Sequence, residues 1–169
     1  MNGAYLHLVM NHVPVVGMPL SFLLLLAGVV RKSKELTQAG LVALILMGLI
    51  TIPVFKTGGP AARVLHNTPG ATIERGAIHE HAEAADYAFT ASAILGVLAL
   101  IAFVWGCRSE SVPMVLSVIV LLGALATSVI MGRVAHLGGL IRHPEISNAP
   151  APAGAPAAET PAPTAPPAH

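Results

Sequence analysis

The sequence predicts an all-α integral membrane protein, an antiparallel four-helix bundle over residues 1–146 followed by a disordered Ala/Pro-rich tail at 147–169. Three observations carry this prediction. Hydrophobic residues make up 54% of the 169 and charged residues only 10%, against roughly 25% charged in soluble domains, and mean hydropathy is +0.74. Four apolar segments, at about 5–30, 36–55, 85–105 and 112–134, each meet the roughly 20 residues that cross a bilayer. The links between the first and second segments, and between the third and fourth, are very short, which makes neighbouring helices antiparallel.

The first segment reads as a retained helix and not as a secretory signal. No Lys or Arg precedes it, it is too long, and no small-residue cleavage pattern stands before Arg31-Lys32. After the second segment, Lys56-Thr57-Gly58-Gly59-Pro60 predicts a turn with Pro at a first helical position, then a short surface helix from Ala61 to His66. Asn67-Thr68-Pro69-Gly70 breaks that helix. Thr72 reads as an N-cap with Glu74 in the first turn. The third helix is thus expected to begin about ten residues, roughly 15 Å, before the membrane. The fourth is expected to stop near Gly138-Gly139, glycine being a common helix closer. Beyond Ser147 the chain is almost all Ala and Pro. Extended as polyproline II it would reach about 70 Å, a tether or spacer.

Arg31, Lys32, Lys34 and Arg108 crowd the short links. By the positive-inside rule those links are cytoplasmic, which places the termini and the long loop on the opposite, periplasmic or extracellular, side. A formal net charge of +1 leaves no footprint for nucleic acid. Cys107 is the single cysteine, which excludes an internal disulfide, covalent c-type haem attachment and a thiolate metal cluster. There is no His-Glu-x-x-His run, no Gly-x-Ser-x-Gly elbow and no carboxylate deep within a span, so no catalytic activity of the chain's own is expected.

The chemistry therefore rests on histidine. All eight histidines fall on the side of the termini. His7, His66, His79 and His169 read as interfacial or solvated, with His79 and Glu83 placed to share a helix face. His12, in Asn11-His12-Val13-Pro14, lies inside the first apolar stretch. An ionisable group there is expected to face the bundle interior or a partner; alternatively it satisfies backbone carbonyls freed by Pro14 and Pro19. His81 heads a narrow face of Ala85, Ala88, Ser92, Gly96 and Ala99, which serves either close helix packing or a flat ligand beside the imidazole. His136 stands above Gly132 and Ser128, with Arg133 beside it. The faces bearing Ser92 with Gly96, and Ser128 with Gly132, are expected to look inward. His143 sits in an exit segment that Pro144 turns away from helix, able to fold over the bundle mouth.

Asn11-His12-Val13-Pro14, Thr57-Gly58-Gly59-Pro60-Ala61 with His66-Asn67-Thr68-Pro69-Gly70, His81-Ala82-Glu83-Ala84-Ala85, and Gly138-Gly139-Leu140-Ile141-Arg142-His143-Pro144-Glu145 carry a resemblance. Together they resemble a family of bacterial four-helix integral membrane proteins defined as a domain of unknown function. The likeness covers about Leu6 to Ile146 and implies the fold and histidines at 12, 81 and 143; His136 is less typical of the family. It implies no activity.

Three readings of the histidines remain open. His12, His81, His136 and His143 can supply axial ligands to a b-type haem, with Arg133 near its propionates and electrons exchanged with a quinone or a periplasmic redox partner. The same four histidines can bind copper or zinc, with Met10, Met18 or Met131 as soft ligands for Cu(I). In the third reading the chain is a structural or assembly subunit of a larger membrane complex, and the histidines only satisfy helix ends.

Overall fold

The computed structural model describes residues 3–67 and 75–142. Every element among them is helical: α1 (Gly3–Met10), α2 (His12–Val30), α3 (Lys34–His66), α4 (Arg75–Arg108) and α5 (Met114–Arg142). Four stretches, Tyr5–Val30, Lys34–Val64, Gly76–Arg108 and Met114–Ile141, are long and apolar enough to cross a membrane. By length and composition the chain is a multi-pass membrane protein, and the all-α four-helix bundle read from the sequence is the fold observed.

α1 and α2 together make the first crossing. Pro14 has no N–H to give the Met10 carbonyl, so the ladder is interrupted at Asn11. Asn11 nevertheless keeps helical dihedrals (φ −62°, ψ −28°), and its N–H donates to the His7 carbonyl at 2.9 Å. The turn into α3 is a Schellman closure: the Ser33 N–H donates to Gly28 O at 3.0 Å and the Lys32 N–H to Val29 O at 3.2 Å. Lys32 takes the left-handed conformation this closure needs, with φ 52°. Ser33 then caps α3, its Oγ accepting from the Leu36 N–H at 3.3 Å.

α2 packs on α3, α3 on α4, α4 on α5, and α5 returns to α2, closing a ring; α1 leans on α3. Inner stripes advance by threes and fours in alternation, as in coiled-coil packing. On α2 the buried stripe is Pro14, Met18, Ser21, Leu25 and Gly28, and on α5 it is Ser117, Val120, Ala124, Thr127 and Met131. Buried hydroxyls of Ser21, Thr51, Ser92 and Thr127 each donate to the carbonyl one turn back in their own helix. They satisfy themselves and do not join helices. Close approach does that instead. A Cβ on Gly40 would lie 2.6 Å from the Leu25 Cα, and one on Gly48 would lie 3.1 Å from the Ser92 carbonyl oxygen and 3.4 Å from the Gly96 Cα. Leu8, Val16, Leu20, Leu23, Leu122 and Val129 are exposed on the outside, as lipid contact requires.

Three expectations are corrected. α3 does not turn at Gly58-Gly59-Pro60 but continues as one helix to His66. The tertiary contact with α1 outweighs the local preference, with Ala61 buried beyond the glycines. α5 likewise runs through Gly138-Gly139 to Arg142. Gly132 does not look inward: it is exposed, and a Cβ there would meet nothing within 4 Å. It lies one residue beyond Met131 of the buried stripe, about 100° around the helix. Ser92 is buried and Gly96 faces Gly48, as expected, while Ser128 is half-buried. The Thr72 cap, His143 and the Ala/Pro tail lie outside the described residues.

Candidate functional site

His7 extends the inner stripe of the first crossing upward through Asn11. Its Nδ1 is 3.0 Å from the Val54 carbonyl oxygen and 3.3 Å from the Thr57 Oγ1. The Thr57 hydroxyl already donates within α3, to Pro53 O and Val54 O, each at 2.9 Å. A carbonyl can only accept, so His7 Nδ1 carries the proton and Nε2 of the neutral ring keeps a free lone pair. Gly58 lies beside the ring, where a Cβ would sit 3.5 Å from the His7 Cε1, an ordinary contact distance.

His81 repeats the arrangement on the other pair of helices. Its Nδ1 is 3.1 Å from the Val134 carbonyl oxygen on α5, and the same logic protonates Nδ1 and leaves Nε2 free. A Cβ on Gly138 would lie 3.2 Å from the His81 Cε1. Glycine at 138 thus clears space for the ring and does not end the helix. One imidazole ties α1 to α3, the other ties α4 to α5, and each bond adds a donor to a helical carbonyl that retains a second lone pair. The two rings stand on different helices, α1 and α4. No hydrogen bond joins them. α1 has at most marginal contact with α4 and α5, so this end of the ring of helices is not packed shut by α1.

Between His7 and Pro14 on the same stripe, Asn11 carries a buried Oδ1 with no hydrogen-bond partner. Buried polar atoms are nearly always paired, and an orphan calls for a water, a ligand or another donor.

The remaining predicted residues are placed differently. His12 is exposed, and its Nδ1 lies 3.2 Å from Leu8 O of the same crossing, the local backbone partner that the sequence allowed. His136 and Arg133 are exposed on α5. His79 and Glu83 do pair, at 3.3 Å, with side chains 75% and 61% exposed, where such a pair contributes little. Among the described residues no three His, Cys, Asp or Glu side chains gather as a metal cluster. Met18 belongs to the hydrophobic core and Met131 is buried on the α5 stripe.

The structure therefore gives His7 and His81 each a carbonyl partner on a neighbouring helix and leaves His12 outside. Sequence reading passed over His7 as interfacial. Its signal was the spacing 7, 11, 14, 18, 21, 25 and 28, which places the histidine in line with the buried stripe. No family model matches the chain, and no curated protein and no solved structure is similar to it.

Proposed function

We propose that the protein is a b-type-haem-binding electron-transfer subunit of the membrane, with His7 and His81 as the residues that would hold the haem. The observation that carries this reading is the pair of imidazoles on different helices, each with Nδ1–H held by a main-chain carbonyl and Nε2 left unbonded. That is the tautomer and orientation in which second-shell hydrogen bonds present histidine to iron. Porphyrin supplies four nitrogens, so two protein ligands complete the coordination. Zinc would need three or four protein ligands, and among the described residues no three His, Cys, Asp or Glu side chains gather.

Haem would supply one-electron chemistry; the chain's part is to hold, orient and shield it. Gly138 leaves space beside the His81 ring. Arg133, adjacent in sequence to the carbonyl that fixes His81, is an exposed cation suited to a propionate. The unpaired Asn11 Oδ1 is a polar anchor on the same stripe. With the basic short links facing the cytoplasm, the site lies at the outer end of the bundle, where a quinone or a periplasmic partner can exchange electrons. Membership of the bacterial four-helix family of unknown function is part of this proposal and rests on the sequence motifs alone.

The test is an absorption spectrum of detergent-purified protein, oxidised and reduced, on the native chain and on His7→Ala, His81→Ala, His12→Ala and His66→Ala. The native protein and the last two variants are expected to show a b-type haem band that His7→Ala and His81→Ala lose while remaining folded. A colourless native protein expressed with ample haem defeats the proposal. A band lost in His12→Ala and kept in His7→Ala would move the ligand to His12.

A further inference from the structure

The opposite end of the bundle carries four basic side chains, Arg31, Lys32, Lys34 and Arg108, against two acidic ones, Glu35 and Glu110. Lys34 Nζ donates to the Ser109 carbonyl at 3.0 Å, tying the two short links together and neutralising the end of α4. Among the described residues the one salt bridge is His79–Glu83 at the other end, so Arg108 has no carboxylate partner. Arg108 is exposed in the last turn of α4. Below it an open cleft of about 600 Å³ runs along the helix, lined by Leu100, Ile101, Val104, Trp105, Arg108 and Ser109. Four of these six residues are large and apolar, and the cation stands at one end only.

We propose that this cleft is a binding site for an anionic phospholipid, with an acyl chain along Leu100, Ile101 and Val104 and the phosphate at Arg108. An aqueous anion would have no use for the apolar floor, and a zwitterionic lipid would leave the excess positive charge uncompensated. Trp105, 52% exposed beside the cation, has the amphipathic ring favoured at headgroup depth. Basic pockets flanking membrane helices are the recurrent feature that recognises anionic headgroups, and each basic residue near an anionic surface is worth about a fivefold preference. This inference does not depend on the histidine site, and either can fail alone.

Native mass spectrometry of the full chain in detergent tests it, with phosphatidylglycerol and phosphatidylcholine of identical acyl chains added in equal amounts. Phosphatidylglycerol is expected to be retained about fivefold or more over phosphatidylcholine. Arg108→Gln should erase most of that preference and Arg108→Lys should keep it. Arg63→Gln, at the histidine end, should leave the preference unchanged. Equal retention of the two lipids by the native chain, or undiminished preference in Arg108→Gln, overturns the proposal. Displacement of the bound lipid by glycerol phosphate, which lacks acyl chains, would also overturn it, because the apolar floor would then contribute nothing.

Discussion

At the residue scale, three positions show how a single side chain is set by physics that its neighbours impose. Asn11 keeps a buried oxygen without a partner, a group whose desolvation costs roughly 1–3 kcal/mol when unpaired. Asn11→Leu should therefore raise the thermal stability of the ligand-free protein in detergent by about 1 kcal/mol, while lowering haem occupancy if the oxygen anchors the cofactor. A drop in ligand-free stability would mean that the amide is satisfied in the folded protein. Lys32 holds φ 52° in the closure of α2, a conformation that costs a side-chain-bearing residue about 1 kcal/mol. Lys32→Gly is expected to stabilise the bundle by a few tenths of a kcal/mol to about 1 kcal/mol, read as a raised unfolding temperature. Gly138 lies against the His81 ring. Gly138→Ala should force the imidazole aside and reduce bound haem, which the amplitude of the reduced-minus-oxidised spectrum measures.

At the scale of the element, glycine decides where helices touch. Gly48 and Gly96 lie face to face where α3 meets α4, and the buried hydroxyls nearby spend their donors on their own helices. With no interhelical hydrogen bond from these groups, the approach of the backbones is what joins the pair. Gly96→Leu should destabilise the protein by about 1–3 kcal/mol through overpacking, whereas Gly132→Leu, on an open face, should unfold at the native temperature. Equal effects of the two changes on the melting temperature in detergent would contradict this assignment of faces. The stripes themselves were partly legible: Ser92 and Gly96 were read inward from their 3.6-residue spacing, and they are inward. Ser128 and Gly132 obeyed the same spacing on α5, yet a neighbouring stripe of Ser117, Val120, Ala124, Thr127 and Met131 took the interior. In a chain apolar all round, hydrophobic contrast cannot say which face is buried.

At the scale of the whole molecule, four crossings place both ends of the bundle domain on one side of the membrane. A reporter active only outside the cytoplasm should work when fused after His169 and fail when inserted between Arg31 and Ser33; the reverse pattern would invert the orientation. What the sequence by itself determined is the fold class and the crossings, because the bilayer demands roughly 20 apolar residues per span and short links leave only antiparallel neighbours. It also placed the histidines among the described residues toward one end of the bundle. Which histidines bond to a neighbouring helix was decided by tertiary structure alone. Pro14 drew attention to His12, but rotation of the first crossing about its axis turns His12 outward and brings His7 onto α3. Gly138, read locally as a stop, is space for an imidazole contributed by another helix, and Gly58, read locally as a turn, lies within the continuous α3. Helix rotation is fixed by contacts between segments about 50 residues apart in sequence, such as His7 with Val54 and His81 with Val134. Propensities and spacings within one segment carry no term for those contacts.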